Sequence, residues 1–421
     1  MTLTLKNIGK IRSACVEIDG ITVIAGENNT GKSTVGRALF AVFNSFCRTK
    51  EKIDAECISK IDALLLLHFI TPISKSGLPL IGVTGISKTI VQHKEDYLTK
   101  RKDLRREIPR LLEEYGIQIE MNSGTEQYNQ EIADRIGKVL QVSDEEYFLS
   151  SINKGIDAEY KGQARSDFSE ENGEIQLHIK GDCISVVLGV DGVCEIRNPV
   201  SVSLHTEALY LDDPFVLDEQ QEPFRNFVDH RNHLYHKLFK EQSGNLVDEV
   251  LAKQLLETVY QKISSVCEGE VFSGKKGQVE YRSSDGKRAL NIRNISTGIK
   301  TFAILKKLLM NGALSYNGVL ILDEPEIHLH PEWQLVLAEL IVLLQKELRL
   351  HIIVNTHSPY FLRAIQVYSA KHKTADVCKY YLSEAVGEQA ETVDVTDCVE
   401  KIYEKLARPL QELEDIRWQD G

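Results

Sequence analysis

The stretch Gly26-Glu27-Asn28-Asn29-Thr30-Gly31-Lys32-Ser33 spells G-x-x-x-x-G-K-S. It follows an apolar run, Ile21-Thr22-Val23-Ile24-Ala25, that reads as a buried strand. It precedes Thr34-Val35-Gly36-Arg37-Ala38-Leu39-Phe40, which reads as the start of a helix. Strand, glycine loop and helix in that order make a phosphate cradle. Gly26 and Gly31 permit backbone angles that a side chain would forbid. Amides of the loop, across Asn28, Asn29 and Thr30 to Thr34, are expected to point at phosphates together with the helix N-terminus. Lys32 reaches the β- and γ-phosphates, and Ser33 offers its hydroxyl to Mg2+. The expected ligands are therefore ATP and Mg2+.

A second stretch completes this chemistry. Val319-Leu320-Ile321-Leu322-Asp323-Glu324 is a continuous apolar run, as a strand buried on both faces requires, followed by two acids. Ligands bind at such strand ends in open α/β sheets. Asp323 is expected to hold Mg2+, and Glu324 to polarise the attacking water as general base. A compact phosphate-loop domain would bring Lys32 and Asp323 much closer in sequence. The expected organisation is thus a discontinuous core, residues 1–50 and 275–421. A helical insertion (51–160) and a strand meander with a helical accessory lobe (161–274) interrupt it.

Composition narrows the class. The chain has 421 residues, 42% of them hydrophobic, enough for more than one packed lobe. A net charge of -12 argues against a surface coated for nucleic acid. The N-terminus alternates like a strand and carries no secretory signal, and no apolar run is long enough to span a bilayer. Eight cysteines without a C-x-x-C pair fit a reducing cytosol.

Along the chain, residues 33–47 and 50–70 read as helices, and Pro72, Gly77, Pro79, Gly82 and Gly85 mark an irregular stretch. Residues 87–150 are helical in period, with breaks at Pro109, Gly116 and Ser123-Gly124. There Lys94, Lys100, Arg101, Lys102, Arg105, Arg106 and Arg110 interleave with Glu95, Asp96, Asp103 and Glu107. Such mixing reads first as a solvated face with i,i+4 pairs, and second as a DNA or partner contact. Residues 174–211 read as an antiparallel meander, 222–267 as helical, and 278–293 as a hairpin around Asp285-Gly286. Residues 380–395 read as another hairpin and 396–417 as a helix.

Two further pieces establish an order of elements. Asn294-Ile295-Ser296-Thr297-Gly298-Ile299-Lys300 precedes a helix, and Ile352-Ile353-Val354-Asn355-Thr356-His357-Ser358 is a buried strand ending in histidine. Phosphate loop, S-x-G-x-K, strand-Asp-Glu-Pro and strand-Thr-His-Ser together resemble an ABC-type ATPase head, an α/β fold. The run Asp323-Glu324-Pro325-Glu326-Ile327-His328-Leu329-His330-Pro331 resembles the RecF-like, OLD-family and AAA15/AAA21 ATPases of prokaryotes, in the group of SMC-type heads. The resemblance spans roughly residues 1–47 and 290–370.

The resemblance implies a cytosolic, Mg2+-dependent ATPase. In this family two heads sandwich ATP, so a homodimer through the ATP sites, or a higher oligomer built from it, is expected. Ser296 and Gly298 would contact the γ-phosphate across that interface. His357 would be the switch histidine that senses the γ-phosphate. Lys300 either adds charge to the trans contact or is exposed. Glu326, His328 and His330 have a zinc-friendly spacing, but the resemblance makes them the loop at the dimer interface. The family's Q-loop glutamine has no clear match, with Gln163 and Gln176 the candidates. No adenine-stacking aromatic stands near Ile8-Gly9-Lys10-Ile11.

The short stretch after His357 contains no D-x-D of a Toprim nuclease. The chain thus resembles the stand-alone ATPase subunits of anti-phage systems such as Septu, PARIS and certain retrons. This implies a separate nuclease or toxin as partner. The alternative is a RecF-like DNA-repair ATPase with a basic groove fed by Lys94 to Arg110.

Overall fold

The computed structural model describes residues 1–70, 80–117, 125–197, 204–219, 229–239, 256–274, 278–283, 286 and 289–419. It divides into two compact units, Met1–Cys47 with Ser151–Gly421, and Arg48–Ser150.

The larger unit is built on one sheet. Its strands are β1 (Thr2–Ile8), β2 (Ile11–Glu17), β3 (Ile21–Gly26), β4 (Gly173–Ile179), β5 (Asp182–Gly189), β6 (Gly192–Arg197), β7 (Ala208–Leu211), β11 (Val319–Asp323), β12 (His351–Thr356), β13 (Cys378–Val386) and β14 (Gln389–Asp394). The order across the sheet is β6-β5-β4-β1-β2-β14-β13-β3-β12-β11-β7. Three short strands, β8 (Glu270–Ser273), β9 (Val279–Arg282) and β10 (Ala289–Asn291), form a second, antiparallel sheet.

The half from β13 to β7 contains the parallel pairs β13–β3, β3–β12, β12–β11 and β11–β7. Helices cover both of its faces, which is why β3, β7 and β11 are buried at every residue. On one face, Leu320, Leu322, Ile352 and Val354 pack with α10 (Thr297–Met310), α11 (Pro331–Leu348) and α12 (Pro359–His372) through Phe302, Leu305, Leu340, Ile341 and Phe361. On the other lies α1 (Lys32–Phe46), close enough that a Cβ on Gly36 would stand 2.9 Å from Ile321 Cγ2. At the far side of the sheet, β6-β5-β4-β1-β2 is an antiparallel meander. The strands at 173–197 therefore continue the same sheet as the N-terminus. The chain closes with α13 (Glu400–Gln419).

The smaller unit is helical: α2 (Thr49–Ile70), α3 (Leu80–Gln92), α4 (Lys94–Leu98), α5 (Leu104–Glu114), α6 (Thr125–Gln141) and the start of α7 (Asp144–Tyr160). Ile61, Leu65, Ile86, Ile90, Ile108, Leu111, Ile132 and Ile136 give it a core of its own. In its charged segment Lys102 pairs with Asp96, Arg105 with Asp134 and Arg110 with Glu107.

Several local expectations change. Gly82 and Gly85 lie inside α3 rather than in an irregular stretch. The physical reason is tertiary: a Cβ on Gly85 would stand 2.3 Å from the Tyr115 ring, so the helix packs there because the side chain is missing. Pro109 sits within α5 and does not break it. The buried face Ile108, Leu111 and Leu112 outweighs one lost backbone bond. Gly116, in the left-handed region at φ 74°, follows the end of that helix. Strand β7, read as part of the meander, pairs parallel with β11 instead. The hairpin at 278–293 is present as β9 and β10, while its turn at Asp285 lies outside the described residues, as do Pro72, Gly77, Pro79 and Ser123-Gly124. In the helical stretch 222–267 the described elements are α8 (His230–Phe239) and α9 (Glu257–Ser264).

Candidate functional site

Register gathers the site. Ala25 stands opposite Thr356, Asn355 opposite Asp323, and Leu322 opposite Leu211. The C-terminal ends of four parallel strands therefore line up, and the residues that follow them, Gly26, His357, Glu324 and Asp212, emerge at one edge.

The phosphate loop is held from inside. Gly31 stands at φ 83° as the N-cap of α1, and a Cβ there would press 2.7 Å from Ile11 Cγ1, so both angle and space require glycine. Thr30 Oγ1 donates to the Glu27 carbonyl at 2.8 Å, and Ser383 Oγ on β13 donates to the Thr30 carbonyl at 2.7 Å. Lys32 is buried. Its Nζ donates to the carbonyls of Gly26 (3.0 Å) and Glu27 (2.7 Å) and lies 4.0 Å from Glu324 Oε1. Burial lowers the Lys32 pKa, opposed by Glu324 and Asp323.

The acids are positioned as tightly. Asp323 Oδ1 accepts from Asn355 Nδ2 at 2.9 Å and Oδ2 from Tyr210 Oη at 2.8 Å. Burial and the Asp323 charge push the Tyr210 hydroxyl well above its ordinary pKa, so it stays a donor. Glu324 adopts φ 50°, a left-handed angle for a residue with a side chain, and its backbone N–H donates to Asn355 O at 2.9 Å. Such strain persists where the surroundings over-determine it. His357 Nδ1 lies 3.2 Å from Glu324 Oε1. An open cleft beside these groups is lined by Ser33, Asp212, Asp213, Thr301, Asp323, Glu324 and His328.

Lys32, Ser33, Asp323, Glu324 and His357 are thus brought together from opposite ends of the chain. Ser296 and Gly298, at the start of α10, are not among the residues lining that cleft. Ser296 is the N-cap residue but makes no side-chain capping bond. Lys300 follows neither expectation: it is 2% exposed, with Nζ bonded to both oxygens of Asp218 at 2.8 and 2.7 Å. Glu326 turns inward, where Thr356 Oγ1 donates to it and burial raises its pKa. His328 packs edge-on to Phe215, and His330 Nδ1 accepts from the Glu332 N–H. The three side chains do not converge as a metal site would need. Gln176 donates to Glu174, and neither it nor Gln163 lines the cleft.

Sequence reasoning missed Tyr210, Asp212, Asp213 and Asn355. A signal for three of them existed. Ala208-Leu209-Tyr210-Leu211-Asp212-Asp213-Pro214 repeats the pattern of Leu320-Ile321-Leu322-Asp323-Glu324-Pro325: apolar run, two acids, proline. The donors around the cleft suit Mg2+, being carboxylate and hydroxyl oxygens. Asp212 Oδ1 is moreover buried there without a hydrogen-bond partner.

A mixed sheet with a parallel half, a phosphate loop after the inner strand β3 and an acid pair two strands away make an α/β phosphate-loop fold of the kind expected for an ABC-type ATPase head. Here it carries a helical insertion and an antiparallel meander. Residues 197–363, less than half of the chain, match the family described as "AAA domain, putative AbiEii toxin, Type IV TA system". It is 28% identical over 137 residues to the Septu protein PtuA of Bacillus thuringiensis. That match spans 31% of this chain and 31% of that protein. Solved structures similar to it include the SMC head domain from Thermotoga maritima (14% identity, TM-score 0.37, 94% of this chain and 98% of that one). Another is an Smc head bound to the C-terminal winged-helix domain of ScpA (13%, 0.45, 93% and 97%). Among the described residues no helix is long and apolar enough to cross a membrane.

Proposed function

We propose that this protein binds and hydrolyses ATP with Mg2+, that two copies close on the nucleotide, and that their closing and opening control a separate nuclease or toxin in defence against phage. The observation that carries the reading is that Glu324 Oε1 lies 4.0 Å from Lys32 Nζ and 3.2 Å from His357 Nδ1.

In this reading Lys32 holds the β- and γ-phosphates, and the amides from Asn28 to Thr34 take their remaining oxygens. Ser33 and Asp323 would hold Mg2+, which neutralises charge on those phosphates. Glu324 accepts a proton from the attacking water, and its strained backbone with the nearby His357 fixes where its carboxylate stands. Ser296 and Gly298 serve the partner copy, in keeping with their own absence from the lining of this cleft. The setting in defence is supported by the toxin-system description of the matching family and by the Septu relative. ATP-driven closing gives a bound effector two states to distinguish.

The test measures nucleotide binding, turnover and mass in solution together. Lys32→Ala is expected to lose ATP binding. Glu324→Gln is expected to bind ATP, fail to turn it over and accumulate as a dimer. Equal turnover by Glu324→Gln and wild type would remove Glu324 as base. Purification of the native complex with and without ATP identifies the effector.

A further inference from the structure

Helix α7 ends in Glu159 and Tyr160, and these neighbours reach two different walls of the cleft. Tyr160 Oη donates to the Thr34 carbonyl, in the first turn of α1, at 2.8 Å. Glu159 turns to α8. Its Oε1 accepts from the His230 backbone N–H at 2.7 Å, and its Oε2 is 2.7 Å from His230 Nδ1. On the other side of the ring, His230 Nε2 lies 3.1 Å from Asp212 Oδ2, at the lip of the cleft. The imidazole also stacks on the Tyr210 ring, with centroids 4.4 Å apart and 26° between planes. Tyr210 in turn donates to Asp323.

This chain of contacts is deeply buried: the Glu159 side chain is 1% exposed and that of His230 9%. A histidine held between two carboxylates gains little stability over apolar packing of the same volume. What it does supply is fixed geometry: the Glu159 carboxylate takes both the backbone N–H and Nδ1 of His230, which sets Nε2 3.1 Å from the Asp212 Oδ2 that Arg231 Nε also holds at 2.9 Å. Both ends of the network act on groups of the nucleotide site.

We propose that Glu159 and His230 are positioning residues for the cleft carboxylates, and that Tyr160 positions the phosphate-loop helix against them. Glu159 and His230 set Asp212 directly and Asp323 through the stacked Tyr210. Tyr160 sets the opposite wall. One turn of α7 thereby fixes the spacing between the phosphate side and the metal side of the site. The inference rests on reading the cleft as an ATP·Mg2+ site.

The test titrates a fluorescent ATP analogue into wild type, Glu159→Gln, His230→Gln and Tyr160→Phe, first in EDTA and then across a Mg2+ series, with Lys32→Ala as the control that loses binding. For Glu159→Gln and His230→Gln the Mg2+ needed for half-maximal tight binding is expected to rise about tenfold, the usual effect of removing a partner behind a metal ligand. Their affinity in EDTA is expected to stay within about twofold, since the phosphate loop is untouched. Tyr160→Phe is expected to lose about fivefold in affinity already in EDTA, one hydrogen bond's worth. A mere structural role would lower the melting temperature and leave the Mg2+ requirement unchanged, and that outcome overturns the proposal. If the charge variants fail to fold, Tyr160→Phe carries the test, and an unchanged affinity in EDTA sinks it. Wild type that binds no nucleotide in either condition overturns the reading of the site itself, which distinguishes that failure from this one.

Discussion

At position 300 a lysine inside α10 is almost fully enclosed. Its ammonium takes both oxygens of Asp218, and it lies 5.2 Å from the centre of the Phe215 ring. Removing it leaves a carboxylate without its cation and a hole where the alkyl stem packed. Lys300→Ala is therefore expected to cost about 3 kcal/mol, read from urea unfolding. Asp218→Asn, which keeps the shape and one acceptor, is expected to cost less. The sequence could not show this, because a charged residue near a nucleotide motif reads as exposed or as a ligand. Asp212 is the opposite case. Its pattern, an apolar run ending in two acids and a proline, is present in the sequence, although the phosphate loop is the stronger signal.

Among the elements, α9, α11 and α12 meet at one carboxylate. Glu339 on α11 accepts from Lys262 on α9 and from Lys371 and His372 on α12. Burial by itself would raise the Glu339 pKa, but the hydrogen bonds from Lys262, Lys371 and His372 outweigh it and bring it down to about 2. A carboxylate depressed on folding stabilises above its ordinary pKa of roughly 4.3, and that contribution fades as pH falls toward about 2. Glu339→Gln is expected to cost about 2 kcal/mol at pH 7, below the figure for fully buried pairs because Lys371 is exposed. The gap between variant and wild type is expected to narrow steadily below pH 4.5 in denaturant melts. A gap independent of pH would mean that packing, and not charge, holds the three helices. Element types were legible where period and burial agreed, as in α1, β3 and β11. They were not legible where tertiary contacts decide, as with Gly85 under the Tyr115 ring, Pro109 within α5, and β7, whose partner lies over a hundred residues away.

For the molecule as a whole, the ends of the chain were readable because phosphate chemistry restricts which residues serve at which spacing. The middle was not, since helical period alone says nothing of where a segment packs. The helical unit Arg48–Ser150 buries its own apolar set, including Ile61, Ile86, Ile108 and Ile132. Expressed alone, residues 48–150 are expected to give a helical far-UV spectrum and a cooperative melt. A featureless melt would show that its core depends on the rest of the chain.

The parallel ladder of β3, β12, β11 and β7 has a further consequence. One residue added within β11 would reverse the faces of every side chain beyond it and carry Asp323 out of line with Asn355. Such an insertion is expected to abolish nucleotide binding, whereas one at the exposed Val190-Asp191 turn should be tolerated in a binding assay. Selection on such a protein acts unevenly. The few strands that keep time with one another are bound to a fixed count. The long excursions between them can lengthen, shrink or be exchanged, so descendants can acquire new partners while inheriting the same engine.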